Sequence, residues 1–424
     1  MRIDEIFSFE KGVLQSSKCV PGDFDFITAS SDWKTHKEYT HDCEALIFAA
    51  AASGSLGRTH YVNGKFISSD LCFIITPKGQ ENLPVDLKFY HILFNEMKDE
   101  IVRNTKAGTS KEAIGLGSFG KYQLPYFDID TQIEIKNLFV KSEELKSDLS
   151  NELNLQVDLV KKLRQQLLQD AVQGKLVEQN LKDEPASELL KKIKAEKQKL
   201  IAEKKLKKEK ELPPIKLEET PFDIPENWVW CRLNEIISIL GDGLHGTPNF
   251  DSKGDYFFVN GNNLINGKIE VKENTKRVSE IEYLKHRKTL TSNTVFVSIN
   301  GTLGNLAFYN GEKIILGKSA CYFNLNPEIV REYIGIFIRS NYFLKYAVDV
   351  ASETTIKNVS LKSMRLLPIP LPPLSEQNRI VQKLDELMQY CNELEARIKE
   401  SESQNEKLLQ QVLREALFNK TTIN

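Results

Sequence analysis

The chain has no Cys-x-x-Cys pair, and its six cysteines (Cys19, Cys43, Cys72, Cys231, Cys321, Cys391) are scattered. They read as free thiols in a reducing cytoplasm, which argues against a zinc site or a disulfide frame. His36, His41, His60, His91, His245 and His286 show no metal-ligand spacing either, so no bound metal is expected. No run approaches the roughly 18–20 apolar residues that span a bilayer. The start, MRIDEIFSFEKGV, lacks a basic segment followed by an apolar one, so secretion is not expected. A strong net charge is missing too: the formal value is −2 over 424 residues. Residues 1–130 carry fourteen Lys+Arg against eighteen Asp+Glu, and residues 232–370 carry seventeen against thirteen. A polyanionic partner needs local positive potential, so this balance speaks mildly against one for the first half and is neutral for the second.

The length implies two to three domains, and the sequence contains an internal repeat. Lys162-Leu163-Arg164-Gln165-Gln166 faces Lys407-Leu408-Leu409-Gln410-Gln411, and Leu168, Ala171 and Lys175 face Leu413, Ala416 and Lys420. Each pair is offset by 245, as 408 is from 163. The same offset joins Leu149 to Leu394, Gln132 to Gln377, Ile135 to Ile380, Pro125 to Pro370, Leu116 to Leu361 and Thr109 to Thr354. Upstream the offset drifts: Gly54-Ser55-Leu56-Gly57 matches Gly301-Thr302-Leu303-Gly304, Asn63-Gly64 matches Asn310-Gly311, and Cys72-Phe73 matches Cys321-Tyr322. Each copy is a variable body followed by a tail of fixed length.

The tails read as long helices. From Ile380, the positions Leu384, Leu387, Cys391, Leu394, Ile398, Ser401, Asn405, Leu408 and Val412 alternate steps of four and three, the heptad pattern of a coiled coil. The first tail shows the same seam through Ile135, Phe139, Leu149, Leu153, Val160, Leu163 and Leu167. Asp130-Thr131 and Ser375-Glu376 stand where N-caps are expected. Each helix should run roughly 45 residues, about 65 Å. The bodies show strand-like alternation and β-branched residues at Ala45–Ala50, Leu71–Thr76, Thr294–Ile299, Lys313–Leu316 and Ala320–Leu325. Asn63-Gly64, Asn266-Gly267 and Asn310-Gly311 serve as turn signals. Short helices are expected at Asp86–Lys98 and Pro327–Asn341. A lysine-rich helix at Leu189–Leu206, ended by Leu212-Pro213-Pro214, reads as a solvated linker.

Two glycine patterns imitate nucleotide sites. Gly115-Leu116-Gly117-Ser118-Phe119-Gly120 fits G-x-G-x-x-G, but the fingerprint requires a strand before it and a helix after it, and the segment Lys121–Pro125 that follows reads as extended. The stretch from Gly311 to Gly317-Lys318-Ser319 resembles a P-loop but has five residues between its glycines, where four are needed. No Asn-Pro-Pro-Tyr/Phe tetrapeptide occurs, so the usual adenine-N6 methyltransferase pocket is missing, and no carboxylate is singled out as acid or base. An active site within the chain is not expected.

The stretch Leu367-Pro368-Ile369-Pro370-Leu371-Pro372-Pro373-Leu374-Ser375-Glu376-Gln377-Asn378-Arg379-Ile380-Val381, followed by a heptad helix, resembles the signature of Type I restriction–modification specificity subunits. Lys162–Leu176, Glu184–Ile215, Pro225–Leu233 and Gly243–Pro248 resemble the same family in order. The first tail departs from it, with Leu124–Gln132 in place of the proline-rich version. The resemblance implies a mixed α/β chain with two target-recognition domains separated by two long antiparallel coiled-coil helices in a pseudo-two-fold repeat. The implied boundaries are residues 1–130 and 228–373 for the recognition domains, 131–182 and 374–424 for the spacer helices, and 183–227 for the connector. It implies a non-catalytic, cytoplasmic subunit that binds double-stranded DNA at a bipartite asymmetric site. That subunit docks two adenine-N6 methyltransferase subunits and, through them, a nuclease subunit, with no membrane partner. No cofactor is expected on this chain; S-adenosylmethionine, ATP and Mg belong to the partners. The alternative is the recognition portion of a single-chain restriction–methylation enzyme. Polar and cationic loop residues are the expected DNA contacts: Ser30, Ser31, Lys34, Arg58, Ser69, Lys106 and Thr109 in the first body, and His245, Thr247, Asn260, Asn262, Lys276, Arg277, Lys318 and Thr354 in the second. Helix packing is expected at Leu149, Leu153, Leu163, Leu167, Leu394, Ile398, Leu408 and Val412.

Overall fold

The computed structural model describes residues 1–51, 54–79, 82–107, 112–208, 212–352 and 357–418. The chain divides into two compact units, Met1–Asn154 with Lys399–Asn424, and Leu155–Ile398. In the first unit six strands form one sheet: β1 (Phe7–Lys11), β2 (Phe24–Ile27), β3 (Lys34–His36), β4 (His41–Ala49), β5 (Thr59–Ser68) and β6 (Cys72–Pro77), in the order β1-β6-β4-β5-β2-β3. Only the β2–β5 pair is parallel. Side chains alternate across a strand, so β4 and β6 feed two cores. Leu46, Phe48, Phe73 and Ile75 join the cluster under helix α1 (Leu87–Glu96), while Ala45, Ile47, Ala49, Cys72 and Ile74 fill the opposite face. Asp86 caps α1 by accepting the N–H groups of Lys88 and Phe89. Helix α2 (Ile129–Val172) follows.

The second unit repeats this plan with the sheet split. Helix α3 (Ala186–Ala202) and strand β7 (Val229–Arg232) lead into β8 (Ile237–Asp242), β9 (Tyr256–Val259), β10 (Arg277–Val278), β11 (Thr294–Ser298), β12 (Leu306–Phe308), β13 (Ile314–Leu316) and β14 (Ala320–Leu325). Then come α4 (Arg331–Arg339), β15 (Pro368–Leu371), which pairs with β7, and α5 (Leu374–Phe418). The sheets are β8-β14-β11-β12 and β10-β9-β13, and β9–β13 is again the parallel pair. The split lies at an Asn-Gly. Gly311, with φ of +95°, ends one segment, and β12 and β13 become separate strands. In the first body Asn63-Gly64 is no hairpin turn: β5 runs straight through it, Asn63 pairing with Glu44 and Gly64 with Cys43. Ladder hydrogen bonds on both sides hold it there, against the local turn preference. Asn266-Gly267, both at positive φ, does join two short paired strands, Leu264–Ile265 and Lys268–Ile269.

The two long helices have 44 and 45 residues. Their starts differ slightly from expectation: Asp128, not Asp130-Thr131, caps α2 by accepting Thr131 N–H at 3.0 Å, and α5 begins at Leu374. In the second unit Arg164 Nη2 donates to Glu395 Oε2 at 3.2 Å, while Leu168, Ala171 and Val172 share a core with Ile380 and Leu384. Numbers rise along one helix as they fall along the other, so the segments run antiparallel. In the first unit Ile135, near the start of α2, shares a core with Leu417, near the end of α5.

The expected seam needs correction. Leu153 is buried and Leu149, Leu167 and Ile398 are half-buried, but Leu163, Leu394, Leu408 and Val412 are 42, 45, 59 and 46 % exposed. At three of these positions the next residue faces inward instead, Arg164, Glu395 and Leu409, while Val160, Cys391, Ile398, Ser401 and Asn405 keep the expected register. Two facing helices bury only a narrow stripe, and a one-residue step turns a side chain by about 100°. Where leucines stand side by side, as at Leu167-Leu168 and Leu408-Leu409, spacing alone does not choose between them.

Candidate nucleic-acid interface

In each body three connections gather at one edge of the sheet, held by the same backbone hydrogen bonds. The first is the loop after β2, or after β9 in the second body. The next, after β4 or β11, contains the Gly-x-Leu-Gly turn: Gly54 and Gly57 have φ of +79° and +82°, and Gly301 and Gly304 have +77° and +84°. This left-handed backbone favours glycine. Gly57 N–H donates to Ala49 O at 2.8 Å, and Gly304 N–H donates to Ser298 O at 3.1 Å. The third connection is the tight turn after β5, or after β13.

A side chain ties the second connection to the first in both bodies. Arg58 Nη1 donates to Ala29 O at 3.4 Å, and Asn305 Nδ2 donates to Gly261 O at 3.1 Å. Arg58 O and Asn305 O in turn accept from Ala49 and Ser298, each at 2.8 Å. Arg58 is therefore half-buried and occupied as a clamp. Asn305 was not among the expected site residues, although its position directly after the repeated glycine turn could have revealed it.

Around the first clamp, exposed Ser30, Ser31 and Lys34 follow β2. Ser30 Oγ lies 2.7 Å from Thr28 Oγ1 and donates to Asp32 O at 2.9 Å, which fixes the loop. Trp33, also missed from sequence, donates from its indole to His60 Nδ1 at 3.3 Å. Ser31, Trp33, His60, Tyr61, Lys88 and His91 line an open cavity of about 760 Å³. Burial pushes both imidazoles below the usual histidine value, which keeps them neutral hydrogen-bonding groups near pH 7. Ser69 does not reach the surface: it is 1 % exposed, its N–H donates to Ile27 O, and its hydroxyl accepts Leu71 N–H. A strand end paired on both sides leaves a serine there no route to solvent. Lys106 is exposed but pairs with Glu112 at 2.7 Å.

In the second body, Asn260 accepts from Ser319 Oγ at 3.2 Å, and the same hydroxyl accepts Gly261 N–H at 2.8 Å. Asn262 and Lys318 are exposed beside this junction. Leu244 bridges Gly317, which brings the loop of His245 and Thr247 to the same edge, and His245 bonds Asp242. Lys276, just before β10, and Arg277, its first residue, flank it, with Lys276 5.9 Å from the Phe250 ring centroid and Arg277 5.1 Å from that of Phe257. Thus His245, Thr247, Asn260, Asn262 and Lys318 come together, with two cations seated on aromatic faces nearby. Thr109 and Thr354 lie outside the described residues. Among the described residues no His/Cys/Asp/Glu group could hold a metal ion, and no helix is long and apolar enough to cross a membrane.

Comparison with known proteins adds the family context. A family model described as the Type I restriction modification DNA specificity domain matches residues 1–158 and 225–401. The chain is 36 % identical over 247 residues to the EcoAI specificity subunit of Escherichia coli, covering 56 % of this chain and 41 % of that protein. It is 28 % identical over 267 residues to the EcoEI specificity subunit of the same organism, covering 61 % and 45 %. The match thus spans less than half the length of either relative. In fold, the chain is similar to the HsdS subunit from Thermoanaerobacter tengcongensis, with a TM-score of 0.55, 16 % identity, and coverage of 98 % and 95 % of the two chains.

Proposed function

Because this chain belongs to the Type I restriction–modification DNA specificity family, we propose that it is the sequence-reading subunit of such a system, with each body reading one half of a bipartite, asymmetric site in double-stranded DNA. The observation that carries this reading is the pair of equivalent clamps, Arg58 to Ala29 O and Asn305 to Gly261 O. One scaffold holds the loop edge in both bodies, while the side chains it presents differ: Ser30 and Ser31 in one, Asn262 and Lys318 in the other. Base discrimination comes from a few local groove contacts, whereas phosphate contacts set position. A shared frame with unlike tips therefore suits two readers of unlike sequence.

The chemistry belongs to partner subunits, which bind S-adenosylmethionine, ATP and Mg. The outward leucines support their docking. In the second unit Leu163 and Leu394 each stand one position before the Arg164–Glu395 pair. On antiparallel helices that places both on one face. Tyr390 is exposed on α5 in the same unit. The residues 245 away, Leu408, Leu149 and Leu145, belong to the first unit, where Leu408 and Leu145 are exposed and Leu149 is half-buried. Each unit thus offers an equivalent apolar set, suited to one methyltransferase subunit apiece, with a nuclease subunit joining through them.

Exchanging residues 1–130 for the body of another specificity chain tests the reading, with methylated-motif sequencing in a host that expresses the modification partner. One half of the motif should change and the other should stay. If both halves changed together, the two-reader model would fail.

A further inference from the structure

The tight turns after β5 and after β13 share a set of backbone bonds. Leu14 bridges Ser69 in parallel fashion, and Leu244 bridges Gly317 in the same way. The N–H groups of Ala50 and Ala51 both donate to Leu71 O, at 2.9 and 3.0 Å, and those of Ile299 and Asn300 both donate to Ser319 O, at 2.9 and 3.2 Å. Ser69 is therefore the counterpart of Gly317, Leu71 that of Ser319, and Asp70 that of Lys318. Registering the copies on Cys72 and Cys321 misses this by one residue and sets buried Ser69 opposite Lys318. The backbone ladder places a carboxylate and an ammonium at one position of one turn.

Both turns stand at the loop edge described above. Ser69 N–H donates to Ile27 O at 2.9 Å, beside the Ser30 loop, and Ser319 Oγ binds Gly261 N–H and Asn260, beside Asn262. Lys318 is exposed, and Asp70 is half-buried with Oδ1 accepting a long 3.4 Å bond from Ser69 Oγ. A carboxylate only accepts hydrogen bonds, and DNA phosphates repel it. It fits a DNA-facing turn where a base presents an amine, above all N4 of cytosine. An ammonium only donates, and its commonest base partners in the major groove are O6 and N7 of guanine.

We propose that residues 70 and 318 are equivalent specificity determinants of opposite sign: Asp70 selects a cytosine in the half-site of the first body, and Lys318 selects a guanine in that of the second. This rests on the reading of both bodies as DNA readers. It differs from phosphate holding, which would weaken all sequences alike and lower the salt dependence of binding.

The test is selection from a randomised duplex library by the full-length chain co-expressed with its modification partner, comparing wild type with Asp70→Lys, Asp70→Asn and Lys318→Asp. Asp70→Lys should convert one cytosine position of one half-site to guanine, with a change in discrimination of about five- to hundred-fold. Asp70→Asn should relax that position, and Lys318→Asp should alter one guanine position of the other half-site. Retention of the untouched half-site reports that each variant is folded. A wild-type bipartite motif left unchanged by all three substitutions, or merely bound more weakly, would overturn the assignment while leaving the two-reader function standing. A wild type that selects no bipartite motif would overturn both.

Discussion

Gln132 and Gln377, 245 residues apart, are both fully buried and share two side-chain hydrogen bonds at the start of a long helix. Each donates to a carbonyl five residues earlier, Gln132 to Phe127 O at 2.7 Å and Gln377 to Pro372 O at 3.0 Å. Each accepts from the N-cap residue of its body's helix, Asp86 N–H at 2.8 Å and Val330 N–H at 3.0 Å. The amide fixes the angle at which a helix leaves its body, and it works equally under the proline-rich segment of the second copy and the different segment of the first.

Replacing Gln377 with Ala strips partners from a buried N–H and a buried C=O, at about 1–3 kcal/mol for each group left unsatisfied. The urea midpoint should fall with the slope of the transition kept. Gln132→Ala should behave alike, and an unshifted midpoint in both would show that the bonds do not hold the helix start.

Leu153 is buried and Leu408 is exposed. Leu153→Ala opens a cavity and should cost about 2–5 kcal/mol, whereas Leu408→Ala on an exposed face should stay within about 0.5 kcal/mol. Size-exclusion chromatography with the modification subunit should nevertheless show weaker association for Leu408→Ala. Equal thermal stability of the two variants would return Leu408 to the same standing as Leu153.

Gly301 and Gly304 differ in surroundings but not in backbone. A Cβ at Gly301 meets nothing within 4 Å, so Gly301→Ala should cost only the left-handed backbone strain, about 1–2 kcal/mol. A Cβ at Gly304 would stand 2.7 Å from Leu344 Cδ2, so Gly304→Ala should lower the melting temperature further. The reverse order would contradict the packing.

Glu376 supplies a pH dependence. Burial raises its carboxyl above the usual 4.5, although Gln179 Nε2 donates to it at 2.6 Å and Arg379 stands near; Asp183 adds to the rise. Between the unfolded value and the raised folded value, the folded chain binds more protons, so stability falls as pH rises through that window. Glu376→Gln should remove this slope and leave the chain more stable at neutral pH. Denaturation midpoints at pH 5 and pH 7 that respond to pH as in the wild type would assign the slope to other groups.

The repeat, the helix lengths and five strands of the bodies, β4, β6, β11, β13 and β14, were legible in the sequence, because each rests on local periodicity or on a constant offset. Ala45–Ala50 and Ala320–Leu325 could hardly be anything but buried strands, and the offset from Gln132 to Gln377 is matched by two shared hydrogen bonds. Tertiary structure alone decided which of two adjacent leucines turns inward, since one step rotates a side chain by about 100° while the spacing count stays good either way. It decided that Asn63-Gly64 continues a strand while Asn266-Gly267 turns, because neighbouring ladders outweigh a two-residue preference. It also moved the counterpart of Lys318 from Ser69 to Asp70, since a one-residue drift is invisible in short matched motifs but unambiguous in a hydrogen-bond ladder, where a slip would send every side chain to the opposite face.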